Sequence, residues 1–183
     1  AENYGGDIEK FIICGTGGPN PAAPFGLVIT DIISLLFGEK HRSKLINRLA
    51  FGAYNKRFEG DSDFSWVTSD KEVVSKYEAD KFCNFKFTAS AMHDLVKLNY
   101  SANRKAWFKS MRKDLPVMLI SGSEDPVGSY GKGVIKVYNK LKKSGCKNVT
   151  LKLYDNCRHE IQNDICRSDV INDIINFIEN QSI

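Results

Sequence analysis

"LPVMLISGSEDPVGSYGKGVIKVYNKLKKSG" (residues 115–145) carries the pattern on which the fold turns. Val117 to Ile120 form an unbroken apolar run behind Pro116, the pattern of a strand buried on both faces, as in a parallel sheet. A loop of Gly, Ser, Asp and Pro follows. Val134, Val137, Tyr138 and Leu141 then recur at helical spacing, and Gly145 supplies a helix stop. Strand, loop and helix in that order read as one unit of an α/β fold.

The same unit repeats on the C-terminal side. Val149 to Tyr154 read as a strand, followed by the loop "DNCRHEIQND" and a helix from about Asp169 to Asn180. In that helix Val170, Ile171, Ile174, Ile175 and Ile178 fall on one side. On the N-terminal side, Phe11 to Cys14 form a short apolar run, ended by Gly15, Gly17 and Gly18 and then by prolines at 19, 21 and 24. From Phe25 to Arg104 no strand pattern is convincing. Helices are expected over 26–37, 43–58, 68–80 and 88–102. The first has a narrow polar side of Thr30, Asp31 and Ser34. The second puts Leu45, Ile46, Leu49, Ala50 and Ala53 on one face. The third opens with Ser69 and reaches Glu72 three residues on, a capping-box spacing. With this helical stretch set aside, the order is strand, strand, helix, strand, helix. That predicts a parallel α/β sheet with the helical stretch inserted between its first and second strands. There are no internal repeats and no low-complexity segments.

The bulk numbers agree with a soluble globular domain. A chain of 183 residues, 42% hydrophobic and 26% charged, can bury a real core. The net charge is +4, with the basic residues scattered rather than gathered among aromatics, so nucleic-acid binding is not expected. Five cysteines, an odd number with no C-x-x-C, suggest free thiols in a reducing compartment and a cytoplasmic location. Cys157, His159 and Cys166 match no zinc spacing, so no metal is expected. No cofactor is expected either. "GTGGPN" has Asn20 where a dinucleotide fingerprint needs its last glycine, and prolines block a helix start there. The longest apolar stretch (25–38) contains Asp31 and is too short to span a bilayer, and no signal-peptide pattern is visible.

Ligands of open parallel sheets sit beyond the carboxyl ends of the strands. Two loops at that edge carry ionisable groups: Asp125 after the second strand, and His159, one of three histidines, after the third. Taken singly, an Asp before Pro is an ordinary turn starter and His159 an ordinary loop residue. Together, on neighbouring strand ends, they could form a carboxylate–imidazole pair. The Asp would fix the tautomer and leave the other ring nitrogen free to act as a base.

Through "SKLINRLAFGAYNKRF", "FSWVTSD", "LPVMLISGSEDPVGSYGKGV" and "VTLKLYDNCRHEIQND", the chain resembles the C-terminal part of an α/β-hydrolase. More narrowly, it resembles the serine aminopeptidase, monoacylglycerol lipase and lysophospholipase group. The resemblance covers nearly the whole chain, and "GSEDPVG" and "RHE" are its most specific motifs. It implies a Ser–Asp–His triad in which Asp125 and His159 supply the second and third members. The family's histidine loop usually has Pro and Gly where Asp155 and Cys157 stand. The resemblance also implies a helical cap over 18–107 and a hydrolase core built from 1–17 and 108–183.

The nucleophile is missing. No G-x-S-x-G elbow occurs, and "VGSYG" (127–131) has its glycines at the wrong offsets. Ser121 and Ser123 read as strand-end and turn residues. Cys14 is a poor substitute, because it ends the strand that follows the nucleophile helix in the family. "YGGDIEKFIICGTGG" resembles the segment just downstream of that helix, and the chain begins without Met. The expectation is therefore a fragment: the Ser, the oxyanion-hole donors and the first five strands would lie upstream. Its sheet would have an open edge at 11–14, with self-association through it. The implied function is hydrolysis of a carboxylic ester or lipid, with Phe25, Leu27, Leu36, Phe37, Phe64 and Trp66 suited either to an acyl chain or to packing the cap. The alternative is an inactive hydrolase-like fragment or binding module.

Overall fold

The computed structural model describes residues 4–58 and 62–179. Its sheet has three parallel strands, β1 (Phe11–Cys14), β2 (Val117–Gly122) and β3 (Val149–Tyr154), in the order β1-β2-β3. The apolar run of the opening stretch is the middle strand, and every residue of β2 is buried. Alternate side chains of β2 serve two cores, as strand geometry requires. Val117 and Leu119 meet Val134, Val137 and Leu141 of α6 (Lys132–Lys143) on one face. Met118 and Ile120 meet Val170 of α7 (Arg167–Glu179), with Tyr154 and Ile161, on the other. β3 has helices on both sides yet exposes Thr150 and Lys152, so it reads as an edge strand rather than an inner one.

Register places the functional edge. Cys14 pairs with Ile120, while Gly122, two residues further, pairs with Tyr154. β1 therefore stops short, and the loops after β2 and β3 project beyond it on the same side.

The helical stretch between β1 and β2 holds α1 (Ala23–Phe37), α2 (Lys44–Phe51), a 3-10 turn (Tyr54–Arg57), α3 (Lys71–Ala79), α4 (Ala89–Ala102) and α5 (Lys105–Ser110). It has a small core of its own, with Ile33, Ile46, Ala89 and Met92 buried together where α1 lies against α4. Local signals set its boundaries. A proline occupies the first turn of α1, Ser43 caps α2 through Ile46 N, and Thr88 caps α4 through Ala91 N.

Several expectations are corrected. The third helix is capped by Asp70, which accepts from Glu72 N and Val73 N, and not by Ser69. Ser69 is recruited elsewhere, as described below. The polar side of α1 does not simply face water. Thr30 is buried, satisfied by Leu27 O (2.7 Å) and His93 Nδ1 (3.2 Å), while Phe25, Val28, Ile32, Leu35 and Leu36 are exposed. A hydroxyl that bonds its own helix's carbonyl can turn inward at little cost. Leu45 and Leu49 of α2 also point outward, as do Ile171, Ile175 and Ile178 of α7. The expected end of the last helix, Asn180, lies outside the described residues. The five cysteines are not all free: Cys157 and Cys166 are joined in a disulfide, leaving Cys14, Cys83 and Cys146 as thiols. Sequence spacing could not show this, because the two are brought together by the fold of the loop between them. No helix among the described residues is long and apolar enough to cross a membrane.

Candidate functional site

The loop after β2 is built around its aspartate. Asp125 is fully buried. Its Oδ1 accepts from Val127 N (2.8 Å), an Asx-turn bond that fixes the side-chain torsion. Its Oδ2 accepts from the Ser121 hydroxyl at 3.2 Å and lies 3.0 Å from His159 Nδ1. Beyond it, Ser129, Tyr130 and Gly131 all have left-handed backbones (φ 53°, 57° and 80°), a tight turn that drops the chain into α6. The Asp125 carbonyl closes that turn by accepting from Tyr130 N at 2.8 Å.

The loop after β3 brings His159 to this carboxylate. Glu124 N donates to Cys157 O (3.0 Å), and Asn156 N donates to Ser123 Oγ (3.1 Å), so the two loops are bonded side by side. Contact is so close at Gly122 that a Cβ there would fall inside the carbonyl oxygens of Cys157 and Arg158. At the end of β1, Gly15 (φ 59°) lies under the imidazole, and a Cβ would meet His159 Cε1 at 3.3 Å. Both positions are ones where the absence of a side chain lets backbone or ring approach.

His159 and Asp125, 34 residues apart, thus meet in an imidazole–carboxylate hydrogen bond that is closed to bulk solvent on the Asp side, where the carboxylate is 0% exposed, and partly open on the His side. Such a pair can take a proton at Nε2 while the carboxylate steadies the resulting imidazolium. Among the described residues no hydroxyl bonds His159. Ser121 shares the carboxylate from below, and Ser123 is occupied with Asn156. Cys14 is a poor nucleophile here. The residue is exposed at the end of β1, and its thiol is pushed up, by desolvation against its neighbours and by the Asp125 carboxylate, which disfavours the thiolate.

The insertion supplies the walls. Trp66 lies 5.5 Å from the imidazole between ring centroids, and Tyr54 meets Trp66 edge-on at 5.1 Å. The Tyr54 phenol is also pushed up, by burial first and then by Asp125. Beyond Trp66 opens a cavity of about 920 Å³, walled by Phe51, Phe64, Trp66, Tyr77, Phe85 and Phe87, with Glu160 at its edge. Of the six apolar residues expected to suit an acyl chain, Phe64 and Trp66 line this cavity, whereas Phe25, Leu36 and Phe37 are exposed. A smaller cavity of about 490 Å³ lies by Ser123, Glu124 and Arg158. The Arg158 guanidinium stacks 4.0 Å over Phe58, and burial pulls its pKa down against the opposing pull of Glu124 and Asp164. No group of three or more His, Cys, Asp or Glu that could hold a metal occurs among the described residues.

Sequence reasoning missed the supporting groups: Tyr54, the close-approach Gly122, and Asp164. "FSWVTSD" was visible as a motif, but nothing in its spacing assigned it a role.

The family model described as serine aminopeptidase, S33, matches residues 3–165. Among solved structures, a highly thermostable carboxyl esterase from Bacillus coagulans, in complex with glycerol, is 29% identical, with a TM-score of 0.87 over 97% of this chain. A lipase in its open form is 27% identical, with a TM-score of 0.82 over 94% of this chain. A soluble variant of monoglyceride lipase from Saccharomyces cerevisiae, 20% identical over 97% of this chain and 57% of its own, shares the fold at a TM-score of 0.65. The chain spans 58% of the length of the esterase and 57% of that of the lipase. No curated protein matches the chain in sequence.

Proposed function

Because the chain belongs to the serine aminopeptidase S33 family of α/β-hydrolases, we propose that it carries the Asp–His part of a serine hydrolase centre acting on carboxylic esters. The observation that carries this reading is the 3.0 Å contact between His159 Nδ1 and buried Asp125. In this reading the nucleophilic Ser comes from a segment preceding residue 1. His159 Nε2 removes the Ser proton as the oxygen attacks the acyl carbonyl, and Nδ1–H stays bonded to Asp125. The imidazolium then gives its proton to the leaving alcohol. Water, deprotonated by the same nitrogen, releases the acid and restores the Ser.

Residues 18–107 act as the cap in this proposal, on a core of 1–17 and 108–183. The cavity within that cap has the size of a small-molecule pocket, about 300–1,000 Å³; its aromatic wall supports an acyl chain, and Arg48, Asp63, Glu78 and Lys86 give it a charged side for a polar headgroup. Monoacylglycerols and lysophospholipids are the proposed substrate class. A reducing, cytoplasmic setting is proposed from the three free thiols. It requires the Cys157–Cys166 link to be open in the cell, which alkylation of thiols before lysis would read directly.

The test is covalent labelling by a fluorophosphonate. The full-length protein should label, and the chain of 183 residues should not. Labelling of the short chain would place the nucleophile within it. A full-length protein that folds but does not label would favour the inactive binding module.

Self-association is also proposed. β1 has a single strand neighbour, β2, among the described residues, and its other edge offers unpaired backbone groups to a further strand. Sedimentation of the chain alone is expected to show dimers or larger species at micromolar concentration. A clean monomer would refute the edge as an association site.

A further inference from the structure

The His159 loop is held from the side of the insertion as well as from the sheet. Residues 65–69 of the insertion run along it. Arg158 Nη1 donates to Ser65 O and to Thr68 O, Glu160 N donates to Val67 O (2.8 Å), and the Thr68 hydroxyl donates to Asn163 O (3.1 Å). The knot of this seam is Asp164, 2% exposed. One of its oxygens accepts from Arg158 N at 2.7 Å, the amide directly before His159. The other accepts from Ile165 N at 2.8 Å, and Ser69 donates to the carboxylate through both its amide and its hydroxyl. Four donors from three residues on two separate elements therefore converge on one buried carboxylate, in the environment where losing an acceptor is most costly.

We propose that Asp164 is a positioning residue for His159, and that through Ser69 it makes the helical insertion part of the mounting of the base. The inference rests on the reading of His159 as that base. Its logic is geometric. Arg158 N is one residue from the imidazole, and its direction is set by an acceptor that the insertion also grips. Displacing residues 65–69 therefore rotates the peptide that aims the ring at Asp125. The insertion is thus not a lid that moves independently of the catalytic histidine. An Asn at 164 has one accepting oxygen where the carboxylate has two, so it cannot accept from both Arg158 N and Ile165 N, which bond opposite oxygens.

The test uses the chain as it stands and does not depend on activity. In ¹⁵N-labelled protein, solvent exchange of the His159 Nδ1 proton is measured alongside the amides of β2. Asp164→Asn should speed exchange of the ring proton about tenfold, while the β2 amides keep their protection. Ser69→Ala, which removes one hydroxyl donor, should give a smaller change in the same direction. Unchanged ring exchange in a folded Asp164→Asn overturns the inference. If Asp164→Asn does not fold, Ser69→Ala and Thr68→Val decide it by the same criterion. In the full-length protein, Asp164→Asn should lower kcat about tenfold with KM within about twofold, the split expected when a group acts on the transition state alone. Equal loss in stability of ring and β2 amides would mark Asp164 as merely structural and refute it. Failure of fluorophosphonate labelling would instead strike the hydrolase reading and leave the exchange result standing.

Discussion

Replacing Asp125 by Asn in the full-length protein is expected to lower kcat by about 10⁴-fold, with the fold retained. The argument is one of tautomers. Oδ1 of Asp125 is committed to Val127 N–H, so an Asn must keep its oxygen there and turn its NH2 toward Ser121 and His159. An NH2 facing Nδ1 demands a lone pair on that nitrogen. The ring proton then moves to Nε2, the nitrogen that accepts the nucleophile's proton in the proposed mechanism. The base is removed with no change in its position. His159→Ala should cost a similar factor, and the double variant should be little worse than either single one, because the two groups act as a unit. Steady-state and single-turnover hydrolysis of an activated ester reads all three. Losses below about tenfold for Asp125→Asn would remove the pair from the mechanism.

Gly122→Ala is expected to have the largest effect on stability, about 3 kcal/mol or more, read by denaturant unfolding. The glycine is not required for its own backbone conformation, since it is not among the residues with positive φ. It is required because the carbonyls of Cys157 and Arg158 occupy the space of its Cβ. The usual relief, a small retreat of the neighbour, is blocked here. The histidine loop is bonded to the β2 loop through Glu124 N and Ser123 Oγ, and to the insertion through Glu160 N. It is also closed on itself by the Cys157–Cys166 link. If the loop does give way, His159 moves with it, so a folded Gly122→Ala should show the same accelerated ring exchange as a broken Asp125 contact. A variant as stable as the parent, with normal ring exchange, would show that the loop can yield.

Much of the architecture was legible in the sequence because it rests on short-range physics. A short apolar run such as Val117–Ile120, bounded by Pro116 and a Gly/Ser loop, favours an inner strand covered on both sides, and the structure buries every residue of it. Three of the four helices expected in the insertion lie close to their expected bounds, but the second stops at Phe51 and gives way to the 3-10 turn at Tyr54–Arg57, and α5 was not expected. Outside the insertion, Val134, Val137 and Leu141 of α6 are buried as their spacing required. The errors fall where one residue had two satisfactory uses. Ser69 fits a helix cap locally, but Asp70 fits equally well one position on, and the unmet acceptor of Asp164 decided between them. The apolar residues of α1 were numerous enough to cover two faces, and periodicity cannot say which face meets a partner.

The division runs along distance in the chain. The sequence by itself determined the parallel α/β class, the helical insertion between β1 and β2, and the presence of an Asp and a His at neighbouring strand ends, because strand polarity and connection order depend on local pattern. Tertiary structure alone decided that Asp125 is fully buried and bonded to Nδ1, and that Gly122 must be bare. It alone joined Cys157 to Cys166 and turned residues 65–69 into a brace for the histidine loop. The Cys157–Cys166 link closes a loop of nine residues, but the others bring together distant segments, as many as 95 residues apart in the Ser69–Asp164 contact. Contacts of that kind are set by the closure of the whole fold, which no window of sequence contains.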